Sequence, residues 1–569
     1  MKYSKLVDLY EHLEQTPSRL KKIERIAEFL RDAETPILEK LVLMIQGRVF
    51  PSYSEKEIGV ADKMMVKVIS SSTGFPERDV MKEFRDTGDL GLSVEELMKK
   101  KKQRTLVTRE LGVEKVFENL RKLASIEGRG SQDVKIGLVK ELISNAKPKE
   151  AKYIVRTVLE QLRIGVAEGV LRDSIGQAFF PGKEGEEKKE IIRTIEWAWF
   201  LKPNYSEIAR IAKERGLNGL RKVSIEIGKP YHVLLADKAK DLKEAIEKFE
   251  RSSLEFKYDG ARVCIHKKDE KFWFYTRRLE NITKQFPDLL DLAKKGIKAK
   301  ECIIEGEMLV IDPKTQNPLP FQMLSQRIKR KYDIEKTVEE VPIQVNLFDV
   351  VYHNGKQLFS EPLEKRRKIL ESIVRPVTGK FQLAEMLVTK DLKEAERFYE
   401  RALKAKQEGV IVKNLDAKYQ PGRRVGYWLK VKPIMETLDL VITGAEWGSG
   451  KRANWLGSFL LSCRKGDEFL ECGMMGTGIK EKGEGVTFDD MTKQLKPLIE
   501  KEKGKSVGIK PKIVVEVAYE EIQKSPNYSS GYALRFPRLI KIRVDKSPSD
   551  ASDVEQIENL YHQQRGRKS

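Results

Sequence analysis

The sequence predicts a multidomain α+β chain in three parts: a helical region over residues 1–225, a region of strands with turns over 226–433, and a small β-barrel over 434–569. Three observations carry that expectation. Apolar residues recur at helical spacing early in the chain, as Leu6, Leu9, Tyr10 and Leu13, then Leu20, Ile23, Ala27 and Leu30. From about Pro230 the texture changes to short apolar or aromatic runs bounded by Gly, Asp and Pro. After Pro433, short runs such as 440–443, 458–463 and 514–518 alternate with glycine-rich turns.

The bulk numbers narrow the class. At 569 residues the chain has room for several domains, each with its own core, and 40% hydrophobic residues make it globular. No apolar run approaches the roughly 20 residues of a membrane helix, and residues 1–8 lack the apolar centre of a signal peptide. The expectation is an intracellular, cytoplasmic chain with no membrane partner. Lys and Arg exceed Asp and Glu by 108 − 87 = +21, which calls for a polyanion, nucleic acid being the natural one. A charged fraction of 34%, rich in Lys and Glu, suits a thermophile. Cys264, Cys302, Cys463 and Cys472 show no C-x-x-C spacing and read as reduced core residues. Five histidines leave a histidine-based mechanism little support.

In the first region two glycine turns stand out. Residues 128–135 open a helix behind Gly128 and Gly130, and residues 163–169 combine Gly165, Ala167 and Gly169. Backbone N–H groups at such turns can seat phosphates. On spacing alone, helix packing with capping glycines is the simpler reading.

The central region is organised around residues 254–262. Asp259-Gly260 reads as a tight turn that leaves Lys257 at the end of one strand and Arg262 at the start of the next. A lysine held among cations and partly buried is pushed toward the neutral, nucleophilic amine. An abundance of lysine is the plain alternative. Residues 272–277 form an aromatic strand ending at Arg277 and Arg278. In the strand 303–310, Glu305 and Glu307 share a face and need a cation, a metal or a ribose hydroxyl, unless the face is solvated. Phe348 lies in the apolar strand 347–352, where it stacks on a base or fills core. Glu408 opens the strand 409–413. Lys430 and Lys432 share a face opposite Leu429 and Val431, and two adjacent ammoniums favour an intervening phosphate. In the last region, Lys541, Arg543 and Asp545 are expected on one face of a strand, opposite Ile540, Ile542 and Val544.

Read in order, K-Y-D-G-A-R, T-R-R-L-E, E-G-E, L-F-D, E-G-V-I-V-K, W-L-K-V-K and F-P-R-L-I-K-I-R-V-D-K resemble the ATP-dependent DNA ligase family, in its archaeal replicative form, over nearly the whole chain. The resemblance implies a helical DNA-binding domain (1–225), an adenylation domain of the nucleotidyltransferase, ATP-grasp-like two-sheet type (226–433) and an OB-fold (434–569). It implies sealing of 5′-phosphate/3′-hydroxyl nicks in replication, repair and recombination by a monomer that closes around nicked duplex DNA, nucleoid-associated, using ATP and Mg²⁺, with Mn²⁺ as a substitute. It gives Lys257 as the nucleophile that carries AMP and Glu255 as an adenine contact. Arg262 and Arg277 become phosphate and nick contacts, Glu307 the ribose or metal carboxylate, Phe348 the adenine-stacking ring, and Glu408 a metal ligand. Lys430 and Lys432 become α-phosphate contacts, Arg424 a nucleotide contact, and Arg538 with Lys541 the pyrophosphate contacts. The family usually has arginine at the place of Lys541, so a forked contact there becomes a point charge. A hinge near residues 433–437 would reorient the last domain between steps. Gln103, with Leu106 three residues on, resembles the start of a sliding-clamp peptide, although Arg109 and Glu110 stand where its aromatics belong. Because the nucleotide motifs all lie beyond Gly228, a chain beginning there is expected to keep AMP-adduct formation while losing its grip on duplex. RNA ligases and capping-type nucleotidyltransferases share the lysine chemistry, but the long helical first region argues against them. The missing zinc-type cysteine set argues against an NAD-dependent ligase.

Overall fold

The computed structural model describes residues 1–100, 110–128, 130–319, 321–330, 332–433, 435–448, 452 and 454–564. The chain forms two compact units: one of residues 1–237, 260–384 and 414–428, the other of residues 238–259, 385–413 and 429–569.

The first unit opens with twelve helices among the described residues, from Tyr3–Gln15 to Tyr205–Arg221. The helical spacing read from the sequence is what gets buried: Leu6, Leu9, Tyr10 and Leu13 on the first helix, Ile23, Ile26, Ala27 and Leu30 on the second. Leu20 departs from that expectation. It stands in the first turn of its helix, 74% exposed. The first helix is also tied by charge to the helix Pro148–Val158: Glu11 takes Lys152 at 2.7 Å and the Tyr153 hydroxyl at 2.7 Å. Glu14 takes the same hydroxyl at 2.7 Å and Arg156 at 3.0 Å. The helices are followed by a sheet in the order 271–276, 261–268, 301–310, 343–353, 356–357, with 381–383 running parallel beside 343–353. Its inner face is a dry apolar core including Val263, Phe274, Ile304, Val345 and Phe381. Each such side chain contributes about 1.5–3 kcal/mol by leaving water.

The second unit holds a five-stranded sheet in the order 237–238, 428–431, 409–414, 252–257, 386–388. It continues into a curled β domain in which 438–447 pairs with 456–465, 506–509 and 514–518. The multidomain α+β class expected from the sequence, helices first and β-structure last, is the one found, and the central strands are interleaved with helices such as Pro287–Gly296 and Leu392–Lys404.

Asp259-Gly260 leaves Lys257 at the end of one strand and Arg262 at the start of the next, as expected, and the two strands belong to different sheets: Ser252–Lys257 pairs with 386–388, Ala261–Lys268 with 271–276 and 301–310. The alternation expected over residues 540–545 fails. The strand Arg538–Ile542 buries Leu539 and leaves Ile540 50% and Val544 93% exposed. Against the strand 514–518 the register skips Ile540, since Glu516 pairs with Lys541 and Val517 with Leu539; this extra residue breaks the two-residue period, and the strand ends before Arg543. All four cysteines are buried free thiols.

Burial alone would push the Glu11 and Glu14 carboxyls up. Hydrogen bonds from Lys152, Tyr153 and Lys149 to Glu11, and from Arg156, Lys152 and Tyr153 to Glu14, outweigh it and hold both at about 2. A depressed folded-state value means that the stabilisation is complete above the ordinary value of 4.5 and is lost as pH falls toward about 2. The double variant Glu11→Gln/Glu14→Gln should therefore show a flatter Tm-against-pH curve than the parent across that window in thermal unfolding, with a lower Tm at neutral pH.

Candidate active site

In the second unit, the strand Ser252–Lys257 lies inside its sheet, next to 409–414 on one side and 386–388 on the other. It is buried on both faces over Ser252–Glu255, and Phe256 packs on Phe398 with ring centroids 5.0 Å apart. Lys257 ends the strand, and its carbonyl accepts the Glu408 N–H at 2.9 Å. The Lys257 Nζ lies 2.7 Å from the Glu408 carboxylate, and Lys432 Nζ lies 2.6 Å from the same oxygen. Burial pushes the Glu408 carboxyl up, but the two lysine charges prevail and hold it far below the usual carboxylate range. The anion expected between Lys430 and Lys432 is therefore supplied for Lys432 by Glu408, which holds Lys257 as well. Lys430 sits between buried Leu429 and Val431, and its carbonyl receives the Ala239 N–H.

Two residues before Lys257, Glu255 forms a buried pair with Lys413 at 2.6 Å, the two side chains 4% and 1% exposed. Its other oxygen, Oε1, is buried without a hydrogen-bond partner among the described residues. Such an acceptor fits an amino group brought in by a ligand.

A second cluster lies in the first unit. Arg262 stands opposite Glu307 in strand register, yet its guanidinium reaches Glu305 at 2.5 Å and the Leu234 carbonyl at 2.6 Å. Glu305 is fully buried, which rules out the solvated-face alternative, and its Oε1 accepts both the Tyr231 and the Tyr419 hydroxyl at 2.5 Å. Burial pushes both phenols far up, so they remain donors. Above this layer the Arg262 guanidinium lies 5.2 Å from the Phe348 ring centroid and 5.3 Å from that of Trp428, and the two rings meet edge to face at 5.9 Å. Partial burial, then the neighbouring charges of Arg262 and Arg424, pull the Arg277 guanidinium below its usual range, against the attraction of Glu307. Three arginines so arranged favour an incoming anion.

The residues singled out from the sequence thus fall into two clusters: Glu255, Lys257, Glu408 and Lys432 in one, Arg262, Arg277, Phe348, Arg424 and Glu307 in the other. Arg538 is exposed, while Lys541 is 61% exposed and 3.5 Å from Glu516. Gln103 and Leu106 lie outside the described residues. Sequence reasoning missed Lys413, Trp428, Tyr231 and Tyr419 as site residues. Lys413 and Trp428 were within quoted motifs. Tyr231 and Tyr419 stand 74 and 114 residues from Glu305, and no local pattern could join them.

Residues 2–176 match the family described as DNA ligase N terminus, residues 233–432 that described as ATP dependent DNA ligase domain, and residues 452–546 its C terminal region. The DNA ligase of Nanoarchaeum equitans is 46% identical over 100% of this chain and 99% of its own length. That of Thermococcus onnurineus is 44% identical over 99% of this chain and 98% of its own. The solved structure "Pmar-Lig_PreS3" shares the fold at a TM-score of 0.56 and 17% identity, covering 95% of this chain and 99% of that one.

Removing Glu305 would leave the Arg262 guanidinium, 12% exposed, without its carboxylate. Glu305→Ala should lower unfolding stability by about 3–5 kcal/mol, read from the urea midpoint, because one half of a buried ion pair is left unpaired. Glu307→Ala, at a part-exposed position, should cost much less in the same assay.

Proposed function

The chain belongs to the ATP-dependent DNA ligase family, and on that premise we propose that Lys257 carries AMP during the sealing of 5′-phosphate/3′-hydroxyl nicks in duplex DNA. The observation that carries the proposal is the placement of Lys257 Nζ at a strand end, 2.7 Å from a carboxylate that a second lysine shares. An ammonium paired with a carboxylate is a poor nucleophile, so the pair must open before attack. Lys432 is positioned to keep Glu408 compensated when Lys257 leaves it.

In the first step Lys257 releases one proton to solvent as the pair opens, its amine Nζ forms a bond to the α-phosphorus of ATP and sheds a second proton to solvent, and the bond to pyrophosphate breaks with its electron pair on the leaving oxygen. Glu408, held so far down, is a poor proton acceptor, and its part is to hold Nζ at the strand end until the pair opens. The unpartnered Glu255 Oε1 is suited to accept from the adenine amino group, and Phe348 offers its ring beside Arg262. Arg262, Arg277, Arg424, Lys430 and Lys432 supply positive charge for phosphate oxygens. A 5′-phosphate oxygen of the nick then takes AMP from Lys257, restoring the amine. Finally the 3′-hydroxyl attacks that 5′-phosphorus and AMP leaves.

Mg²⁺ fits this set as a shared ion rather than a caged one. Among the described residues no three His, Cys, Asp or Glu side chains form a metal cluster, while Glu307 and Glu408 each offer a single hard carboxylate. Mg²⁺ usually keeps its waters and binds through one or two carboxylates and substrate phosphates. When bound it would supply Lewis-acid neutralisation of the phosphate oxygens.

The division at 1–225, 226–433 and 434–569 completes the proposal, the first part gripping duplex through backbone phosphates, the last bringing Arg538 and Lys541 to pyrophosphate. A clamp contact through Gln103 and Leu106 belongs to the same reading, as does a monomeric enzyme. Among the described residues no helix is long and apolar enough to cross a membrane.

Lys257→Arg should abolish the AMP adduct in mass spectrometry while duplex binding persists, since arginine keeps the charge but cannot lose its proton. An adduct in that variant would remove Lys257 as nucleophile. Arg538→Ala should slow self-adenylation far more than sealing of a pre-adenylated nick. Equal losses would assign Arg538 to the fold or to DNA.

A further inference from the structure

The loop that carries Arg424 is anchored by a helix of the N-terminal third. Arg423, its neighbour, places NH2 2.6 Å from Glu196 on the helix Gly185–Leu201. The other Glu196 oxygen takes Arg172 NH1 at 2.6 Å, and Arg172 Nε binds Asp173 at 2.8 Å, which also pairs with Arg19. Glu196, Arg172 and Arg423 are only 25%, 24% and 33% exposed. One helical turn beyond Glu196, on the same face, the Phe200 ring lies against Gly422. A Cβ on Gly422 would fall 2.1 Å from that ring, and its φ is +67°, so glycine alone permits the approach. The Arg423 guanidinium stacks 5.8 Å from the same ring centroid. Backbone bonds finish the anchor: the Gly422 N–H donates to the Val233 carbonyl at 3.2 Å, and the Leu235 N–H to the Arg423 carbonyl at 3.1 Å.

The electrostatics give the anchor a purpose. Arg424 acts on Arg277 in the arginine cluster, where a second arginine from the same loop would add repulsion. Glu196 draws Arg423 the other way, so that adjacent residues face opposite partners. We propose that Glu196 and Phe200 are positioning residues that hold Arg424 for the nucleotide, making the helix Gly185–Leu201 a support of self-adenylation. The proposal rests on the reading of Arg424 as a nucleotide contact. It reverses one expectation from motif positions: a chain beginning near Gly228 lacks both anchors and should form its AMP adduct poorly.

The test uses the full chain, with single-turnover adduct formation measured against ATP concentration and Tm recorded for each variant. Glu196→Gln should raise the half-saturating ATP concentration about fivefold, the size expected for one partly buried ion pair, with the maximal rate nearly unchanged. Arg424→Ala should raise it at least as much. The double variant Glu196→Gln/Arg424→Ala should be no worse than Arg424→Ala, since a positioning residue has nothing left to position. Normal half-saturation in Glu196→Gln beside an impaired Arg424→Ala would overturn the proposal, as would losses that multiply in the double variant. Normal half-saturation in Arg424→Ala would instead remove the reading beneath it. Should Glu196→Gln fold poorly, Arg423→Ala cuts the same contact from the loop side, and the same comparisons decide.

Discussion

The buried Glu305 carboxylate is the constraint on which the first cluster depends. It has no access to water, so every lone pair must be answered within the protein. The answers come from three distant stretches: Tyr231 before the sheet, Arg262 on the neighbouring strand, and Tyr419 in the segment leading to the strand Trp428–Val431. Satisfying one carboxylate therefore fixes how these stretches approach each other. With Arg262 immobilised beneath them, Phe348 and Trp428 have a fixed cationic surface to pack on. The aromatic ring proposed for a base and the guanidinium proposed for a phosphate are thus placed by the same group.

The second cluster solves a different problem. Lys257, Lys432 and Lys413 are brought close around the strand ends of one sheet, and Glu408 and Glu255 balance them. The two carboxylates are not equivalent. Glu255 is committed to Lys413 in the interior but keeps one oxygen unanswered. Glu408 is divided between two lysines, an arrangement that tolerates the departure of either.

The sequence was legible where the information is local. Helical spacing predicted Leu6, Leu9, Tyr10 and Leu13 as core. The order of short motifs pointed to the ligase family before any coordinates. Spacing failed where pairing partners decide the outcome. Ile540 faces solvent because pairing with 514–518 leaves it as the extra residue, Val544 lies beyond the strand's end, and Asp259-Gly260 links two sheets because neither flanking strand carries a label for its neighbours. Glu305 was visible as one of two carboxylates on a face, but not as the buried one, because its hydroxyl partners come from far away in the chain. Gly422 reads in the sequence as an ordinary loop glycine. Only the helix beneath it explains why no side chain is admitted there.

The sharing of Glu408 has a consequence for the later steps. As found, two ammoniums and one carboxylate sum to +1 − 1 + 1 = +1 around Glu408. On the proposal that Lys257 carries AMP, its nitrogen becomes neutral and the phosphoramidate adds a negative charge, so the same place would sum to −1 − 1 + 1 = −1. The first reaction inverts the polarity of its own surroundings. A spot that first attracts a polyphosphate becomes one that repels it and recruits cations, which favours departure of pyrophosphate and disfavours a second nucleotide.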